Sequence, residues 1–144
     1  MGSETAEQNR RIVERFITEG VMEGRLDVFD ELCDPGLINH AAAPQAREGI
    51  EGMKRVIGFS RAAMPYQRWI DQVVIADDEY VVVRAIREST WSADSFRGIP
   101  TPRGATTAVE MVHIWRLAGG KTVEHWAVRD DLGLMIQLGV ISPS

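Results

Sequence analysis

The chain has 144 residues, a length that suits a single domain with one hydrophobic core. Its formal net charge is -5, and no run of Lys and Arg carries interleaved aromatic residues, which argues against a generic nucleic-acid-binding protein. No apolar stretch approaches the roughly 18 residues of a membrane span, and the polar N-terminus lacks a signal-peptide core, so we expect a cytoplasmic protein.

The first part of the chain has the periodicity of helices. Residues 7–22 predict an amphipathic helix, because apolar side chains recur at offsets of three and four. The apolar stripe consists of Ile12, Val13, Phe16 and Ile17. A second short helix follows Asp27, a short extended piece covers residues 37–41, and a third helix is predicted over residues 48–63. The single cysteine, Cys33, cannot form an internal disulfide bond, and its apolar surroundings predict a core residue.

The second part of the chain is rich in Val, Ile and Trp and predicts strands. The predicted strands cover residues 68–76, 80–91, 105–117 and 122–128. Residues 92–104 contain two prolines and two glycines and predict a loop, and residues 132–138 predict a short terminal helix. Helices followed by antiparallel strands indicate an α+β domain over residues 1–144. Helices packed on one face of a strongly curved sheet would form a cone with an apolar pocket for a small molecule.

The last hairpin predicts which side chains share a face of the sheet. If Gly119 and Gly120 form a two-residue turn, directly opposed residues lie on the same face. The predicted inner set is His113, Trp126, Met111, Val128 and Asp130, with Trp115 beside them. The opposite face takes Glu110, Ile114, Arg116 and His125, and strand alternation directs Arg129 away from the pocket. A β-bulge would reverse this assignment, because one extra residue flips every side chain beyond it.

Asp130 is the first candidate for proton chemistry. A carboxyl group at the rim of an apolar cavity has a raised pKa, so it can exchange protons near neutral pH. The alternative is a helix N-cap, because Asp130 directly precedes the apolar terminal helix, although Asp131 could take that position instead. His113 is the second candidate, and its alternative is a core histidine whose hydrogen bonds are satisfied.

Other polar and aromatic residues support either a ligand site or ordinary packing. Asn39 and His40 follow an apolar pair and suggest two oriented donors, with a loop turn as the alternative. The four tryptophans suggest core packing or, on the inner face, a stacking wall for a polycyclic ligand. The three histidines show no HxH or HExxH spacing, so no metal site is predicted. The absence of a P-loop, a GxGxxG turn and a GxSxG elbow argues against nucleotide binding and serine hydrolysis.

Several stretches resemble the SnoaL-like polyketide cyclases, a family within the NTF2-like superfamily. The matching stretches are RRIVERFITEGVMEGRLDVFDEL, LINHAA, REGIEGMKRVI, RGIPTPRGATTAVEMVHIWRLAGGKTVEHW and DLGLMIQLG. The more specific parts are Gly98-Ile99-Pro100 before a strand and the segment from Gly120 to Trp126. The resemblance implies an NTF2-like cone, in which N-terminal helices pack on a strongly curved antiparallel sheet.

The resemblance also implies a function. It suggests a cofactor-independent cyclase or isomerase that performs acid/base chemistry on a hydrophobic, polyketide-like carbonyl compound. Asp130 would then be the proton carrier, and His113 would donate to the oxygen on which charge develops. The implied ligand contacts are Asn39, His40, Trp126, Trp115 and Met111. A homodimer is implied through the outer face of the sheet, where Val112 and Ile114 would otherwise be exposed.

Three other functions are compatible with the same fold. A cofactor-independent hydroxylase of polycyclic aromatic polyketides would differ from a cyclase in its dependence on molecular oxygen. A non-catalytic protein that binds hydrophobic ligands would show binding without turnover. A water-activating hydrolase similar to the limonene epoxide enzymes needs an Asp-Arg-Asp constellation that cannot be placed in this chain.

Overall fold

A computed structural model of the chain describes residues 3–143. The helices are α1 (Glu4–Arg15), which continues into a π-helical segment (Phe16–Met22), α2 (Val28–Leu32), α3 (Gly49–Ala63) and α4 (Asp131–Gln137), with a 3₁₀ turn at Pro44–Ala46. The strands are β1 (Cys33–Asn39), β2 (Tyr66–Ala76), β3 (Tyr80–Thr90), β4 (Ser95–Phe96), β5 (Ile99–Pro100), β6 (Thr106–Ala118) and β7 (Lys121–Arg129). Within residues 3–143, no helix has the length and apolar character that crossing a membrane requires.

The first helix begins earlier than its apolar stripe indicates. Ser3 is the N-cap, and its hydroxyl oxygen accepts a hydrogen bond from the Ala6 N–H at 3.0 Å. Such a cap satisfies one of the free N–H groups in the first turn. The predicted stripe is confirmed, since Phe16 and Ile17 are buried in the core. Gly20 in the π-helical segment allows a close approach, because a Cβ atom there would lie 2.5 Å from the Phe29 ring.

A curved five-stranded sheet forms the second layer and has the order β1-β7-β6-β3-β2. The β1 strand runs parallel to β7, and the other neighbours are antiparallel. A bulge between Ile70 and Val73 interrupts the β2–β3 ladder, and Asp71 in it has a φ of 52°. Such bulges bend a strand and increase its twist. The predicted α+β class with a curved, mostly antiparallel sheet is confirmed.

The β6–β7 hairpin decides which side chains face the helices. Its two-residue turn at Gly119 and Gly120 is confirmed, since Ala118 pairs with Lys121. Both glycines have positive φ angles, 59° and 77°, which suits the mirror-image turns of tight hairpins. A bulge follows at once, because Arg116 pairs with Glu124 whereas Leu117 pairs with Thr122. Val123 is therefore an extra residue in β7.

The bulge makes the predicted shared face wrong for β7. Beyond it, His113 pairs with Ala127 and Trp115 pairs with His125. His125 therefore faces inward, where it is buried, and Trp126 and Val128 face outward. The physical reason is that the side-chain period of a strand is two, so one inserted residue exchanges the two faces.

Candidate active site

A cavity of about 290 Å³ lies between the concave face of the sheet and the helices. Its wall is mostly apolar, and it includes side chains of the π-helical segment, α3 and α4. Examples of these are Phe16, Val21, Met53, Ile57, Leu134 and Met135. The sheet contributes most of the polar lining groups, among them Asn39, Gln67, Arg87, His113, His125 and Arg129. This combination of an apolar wall and a few convergent polar groups is typical of a small-molecule site.

A chain of three hydrogen-bonded side chains crosses the floor of the cavity. Asn39 Oδ1 lies 2.8 Å from His125 Nδ1, and His125 Nε2 lies 2.8 Å from His113 Nδ1. The Ala41 N–H donates to Asn39 Oδ1 at 3.1 Å, which identifies that atom as the acceptor. His125 must then carry its proton on Nδ1, so its Nε2 accepts the proton of His113 Nδ1. His113 Nε2 is left as a free lone pair.

Several buried polar atoms at this cavity have no hydrogen-bond partner. Within residues 3–143, five buried side-chain nitrogen or oxygen atoms lack one, and four of them belong to lining residues. These four are Trp69 Nε1, Trp115 Nε1, Arg87 Nε and His113 Nε2. Buried polar groups in native proteins are almost always paired, and an unpaired one costs about 1–3 kcal/mol. The lining residues therefore carry three donors and one acceptor that have no partner within residues 3–143.

Both buried histidines are neutral at physiological pH. Burial lowers the pKa of His113 well below its ordinary 6.5, and the positive charges of nearby groups, including Arg129 and Arg87, lower it further. Burial is also the largest cause that lowers the pKa of His125, to about 3. The neutral state agrees with the tautomers that the hydrogen bonds impose, in which each imidazole carries one proton.

The charged lining groups are three arginines and one carboxylate. Arg87 comes from β3, Arg129 from β7 and Arg97 from the β4–β5 hairpin. Asp131 is the only carboxylate among the lining residues, and its Oδ1 lies 3.5 Å from Arg129 Nε. Within residues 3–143, no group of three or more His, Cys, Asp or Glu side chains is arranged to hold a metal ion.

A family model described as SnoaL-like polyketide cyclase matches residues 11–138 of the chain. The chain belongs to the SnoaL-like polyketide cyclase family. A search among curated proteins found no match. The family assignment agrees with the resemblance of the sequence motifs. The matched range covers the whole sheet and every helix except the first seven residues of α1.

Solved structures support the same assignment. A proposed SnoaL-like polyketide cyclase from Jannaschia sp. CCS1 is 27% identical and superposes with a TM-score of 0.83, covering 100% of this chain and 99% of that chain. TsrD from Streptomyces laurentii is 25% identical with a TM-score of 0.77, and the match covers 94% of this chain and 97% of that chain. IdmH from Streptomyces antibioticus, a proposed polyketide cyclase, is 23% identical with a TM-score of 0.74, and the match covers 95% of this chain and 99% of that chain. At this identity the similarity supports the fold alone. The predicted NTF2-like fold is confirmed.

The cavity is lined by some of the side chains that the sequence predicts there. His113, Trp115 and Asn39 line it. Met111 is buried in the hydrophobic core but does not line the cavity. The two tryptophan rings beside His113 are Trp69, at 4.5 Å between ring centroids, and Trp115, at 5.5 Å. The inner aromatic wall therefore consists of Trp69 and Trp115 and does not include Trp126.

Two predicted ligand contacts lie on the opposite side of the sheet. His40 stacks on Trp126 with 5.0 Å between ring centroids, and its Nε2 lies 2.8 Å from Glu124 Oε2. Both aromatic side chains border a shallow depression on the outer face. Their expected position in the pocket is wrong, because the bulge turns Trp126 outward and because alternation along β1 separates His40 from Asn39.

Asp130 occupies the N-cap position of α4, which is the alternative that the sequence leaves open. Its Oδ1 accepts a hydrogen bond from the Gly133 N–H at 2.8 Å, and the residue is exposed. Its expected position on the inner face with His113 is wrong, because β7 ends at Arg129 and the chain turns there into α4. The next residue, Asp131, lines the cavity instead.

Sequence reasoning missed His125, Arg87 and Arg129 as cavity residues. No pattern in the sequence indicates the bulge that turns His125 and Arg129 inward. Arg87 does carry a signal, because it continues the alternation of the buried residues Val81, Val83 and Ala85 along β3. An arginine in the inward phase of a strand is unusual and indicates a functional group.

Proposed function

We propose that this protein is a cofactor-independent enzyme that moves a proton on a hydrophobic, polyketide-like carbonyl compound, with His113 as the proton acceptor. The observation that carries the proposal is the partnerless lone pair of His113 Nε2 at the cavity, with its tautomer set by His125 and Asn39. The resemblance suggested Asp130 as the carrier. We assign the role to His113 because the Asp130 carboxylate caps α4 and is exposed.

The reaction begins at a carbon next to the substrate carbonyl. The C–H bond breaks, its proton forms an N–H bond with His113 Nε2, and the electron pair moves to the carbonyl oxygen as an enolate. In an isomerisation the proton returns to a different carbon. In an aldol cyclisation the enolate carbon attacks a second carbonyl of the same molecule, and the proton passes to the new alkoxide. Both outcomes balance without any cofactor.

Fixed donors would stabilise the enolate oxygen. The free N–H groups of Trp69, Trp115 and Arg87 belong to the same cavity wall, and one enolate oxygen can accept more than one hydrogen bond. Donors that are already oriented in a water-poor site stabilise developing charge strongly, since they need no reorganisation. The imidazolium that forms at His113 and the enolate would attract each other, which offsets the low pKa of the resting imidazole.

Hydrogen–deuterium exchange tests the proton transfer without knowledge of the natural substrate. The protein is incubated with 2-tetralone, a small aromatic ketone, in D₂O, and the loss of the α-proton signals is followed by NMR. We expect catalysed exchange that His113→Phe lowers by about 10²- to 10⁴-fold, the usual contribution of a general base. His40→Phe is the matched control, because it makes the same change on the outer face.

Exchange at the uncatalysed rate with the unaltered protein, or full exchange with His113→Phe, would contradict the proposal. Exchange in air and under nitrogen is compared in the same series. The products are analysed as well. An oxygenated product that forms only in air would favour the hydroxylase alternative, whereas its absence agrees with a cyclase or isomerase.

We also propose that the protein is a homodimer that associates through the outer face of β6 and β7. Val112, Ile114, Trp126 and Val128 border one apolar depression there, and Val128 is 69% exposed. Burying such a surface against a second copy would remove apolar area from water. Sedimentation velocity should show a dimer that Val128→Lys dissociates, whereas Val140→Lys at the C-terminus leaves it intact. A monomer at all concentrations would contradict this proposal.

A further inference from the structure

The inner face of the sheet carries a buried arginine that forms no ion pair with the residues that the structure describes. Arg87 lies on β3, where it pairs with Trp69 on the edge strand β2 and with Val109 on β6. It is 9% exposed and lines the cavity. No ion pair or hydrogen bond connects its guanidinium to another residue within 3–143, and its Nε is among the partnerless buried atoms. The Asp131 carboxylate acts on it only through space.

This arrangement is costly for the unliganded protein. An arginine is almost never buried unless it is paired, because removing its charge from water costs several kcal/mol. Burial is the largest cause that lowers the pKa of Arg87, to about 10, so the guanidinium remains charged at neutral pH. A charged group that is kept unpaired at a cavity is best explained by a partner that arrives with the ligand.

The other charges around the cavity have the same sign. Arg97 and Arg129 also line it, whereas Asp131 is the one lining carboxylate, so the formal charge of the wall is three minus one, or +2. The whole chain has a net charge of -5. A positive cavity inside an acidic protein is a local feature, and it attracts anions to this site.

We infer that the cavity binds an amphipathic carboxylic acid, with an apolar body against the aromatic wall and one carboxylate on Arg87. The inference rests on the cavity being the ligand site that is proposed above. A guanidinium offers two parallel N–H groups that match the two oxygens of a carboxylate, and such charge-assisted pairs are among the strongest hydrogen bonds in proteins. The remaining wall is apolar and aromatic, which suits a ring system rather than a second charged group.

The carboxylate would also affect the proposed base. The positive charges of Arg129 and Arg87 help to lower the pKa of His113. A bound carboxylate would offset these charges and so raise the pKa of His113 toward its ordinary value. His113 would then become a stronger base when an acidic ligand is bound, which couples recognition of the carboxylate to the proton transfer.

Two probes of the same shape test the inference. The affinities of 2-naphthoate and the neutral 2-naphthamide are measured at low ionic strength through tryptophan fluorescence, since Trp69 and Trp115 line the cavity. We expect 2-naphthoate to bind about 10- to 100-fold more tightly, as hydrogen bonds to charged groups imply. Arg87→Met should remove this preference, so that 2-naphthoate and 2-naphthamide bind with equal affinity.

Arg84→Met is the matched control. Arg84 is on the same strand, faces outward and pairs with Glu110 at 3.1 Å, so its removal changes the net charge equally without altering the cavity. It should preserve the preference for 2-naphthoate. Equal affinities of the two probes for the unaltered protein, or a preference that survives Arg87→Met, would overturn the inference.

The two proposals fail in different ways. His113→Phe should still prefer 2-naphthoate, because it leaves Arg87 in place. Loss of ketone exchange with a retained, Arg87-dependent preference would refute the proposed chemistry and support the ligand class. Catalysed exchange without any preference for the carboxylate would refute the ligand class and support the proposed chemistry.

Discussion

His113 Nδ1 lies 2.8 Å from His125 Nε2, and this contact exists because Val123 is an extra residue in β7. Without the bulge His125 would face outward and Trp126 would face His113. The contact sets the tautomer of His113 and leaves its Nε2 lone pair without a partner in the wall of the cavity. One inserted residue thus decides which groups are available for chemistry.

Asn39 should act as a positioning residue for this pair. Asn39→Leu removes the acceptor of His125 Nδ1, so the imidazoles are free to exchange tautomers. We expect ¹⁵N NMR to show mixed tautomers at His125 and exchange of 2-tetralone to fall by about tenfold or more. Asn39→Asp, which keeps an acceptor, should retain one tautomer. A single unchanged tautomer in Asn39→Leu would contradict this role.

The buried histidines should make the protein sensitive to acid. Each has a folded-state pKa below 6.5, so below about pH 6.5 the unfolded chain binds protons that the folded chain does not. The free energy of unfolding should therefore fall as the pH decreases, by about 1.4 kcal/mol per pH unit for each histidine. Urea unfolding between about pH 6 and 4.5 measures this slope.

A substitution separates the contribution of His113 to this slope from the contributions of the other titrating groups. His113→Phe should reduce the slope by the share of one histidine, whereas Trp115→Phe should change the stability without changing the slope. An equal slope for the unaltered protein and His113→Phe would show that the folded protein admits the proton at His113.

Arg87→Met should stabilise the unliganded protein. The change removes an unpaired buried charge and leaves an apolar side chain of similar length in an apolar wall. Replacing buried charges by apolar groups stabilises proteins by about 1–4 kcal/mol in comparable cases. Thermal unfolding without ligand measures the change, with Arg84→Met as the exposed control. A lower melting temperature for Arg87→Met would indicate a structural partner for the guanidinium.

Asp130 should contribute to stability rather than to proton transfer. Asp130→Ala removes the N-cap of α4 and should cost about 1 kcal/mol. Exchange of 2-tetralone should remain within about twofold of the original rate, because the carboxylate is exposed and caps the helix. Asp131→Ala, at the neighbouring position, should preserve the cap. A large loss of exchange in Asp130→Ala alone would return the role of proton carrier to Asp130.

Much of the fold was predictable from local patterns. The apolar stripe of the first helix, the turn at Gly119 and Gly120 and the order of helices and strands depend on side-chain periodicity and turn chemistry, which act over a few residues. The motif resemblance added the curved sheet. His113, Trp115 and Asn39 were also placed correctly at the cavity, because each follows the burial phase of its own strand.

The composition of the candidate site depended on contacts between strands. The amino-acid sequence by itself determined the fold class, the family and the apolar character of the cavity, since these follow from patterns within each element. Only the tertiary structure decided that His125 and Arg129 line the cavity and that Trp126 does not. The physical reason is that strand pairing propagates a single bulge to every residue beyond it, and the pattern of Val123 and its neighbours does not reveal that bulge.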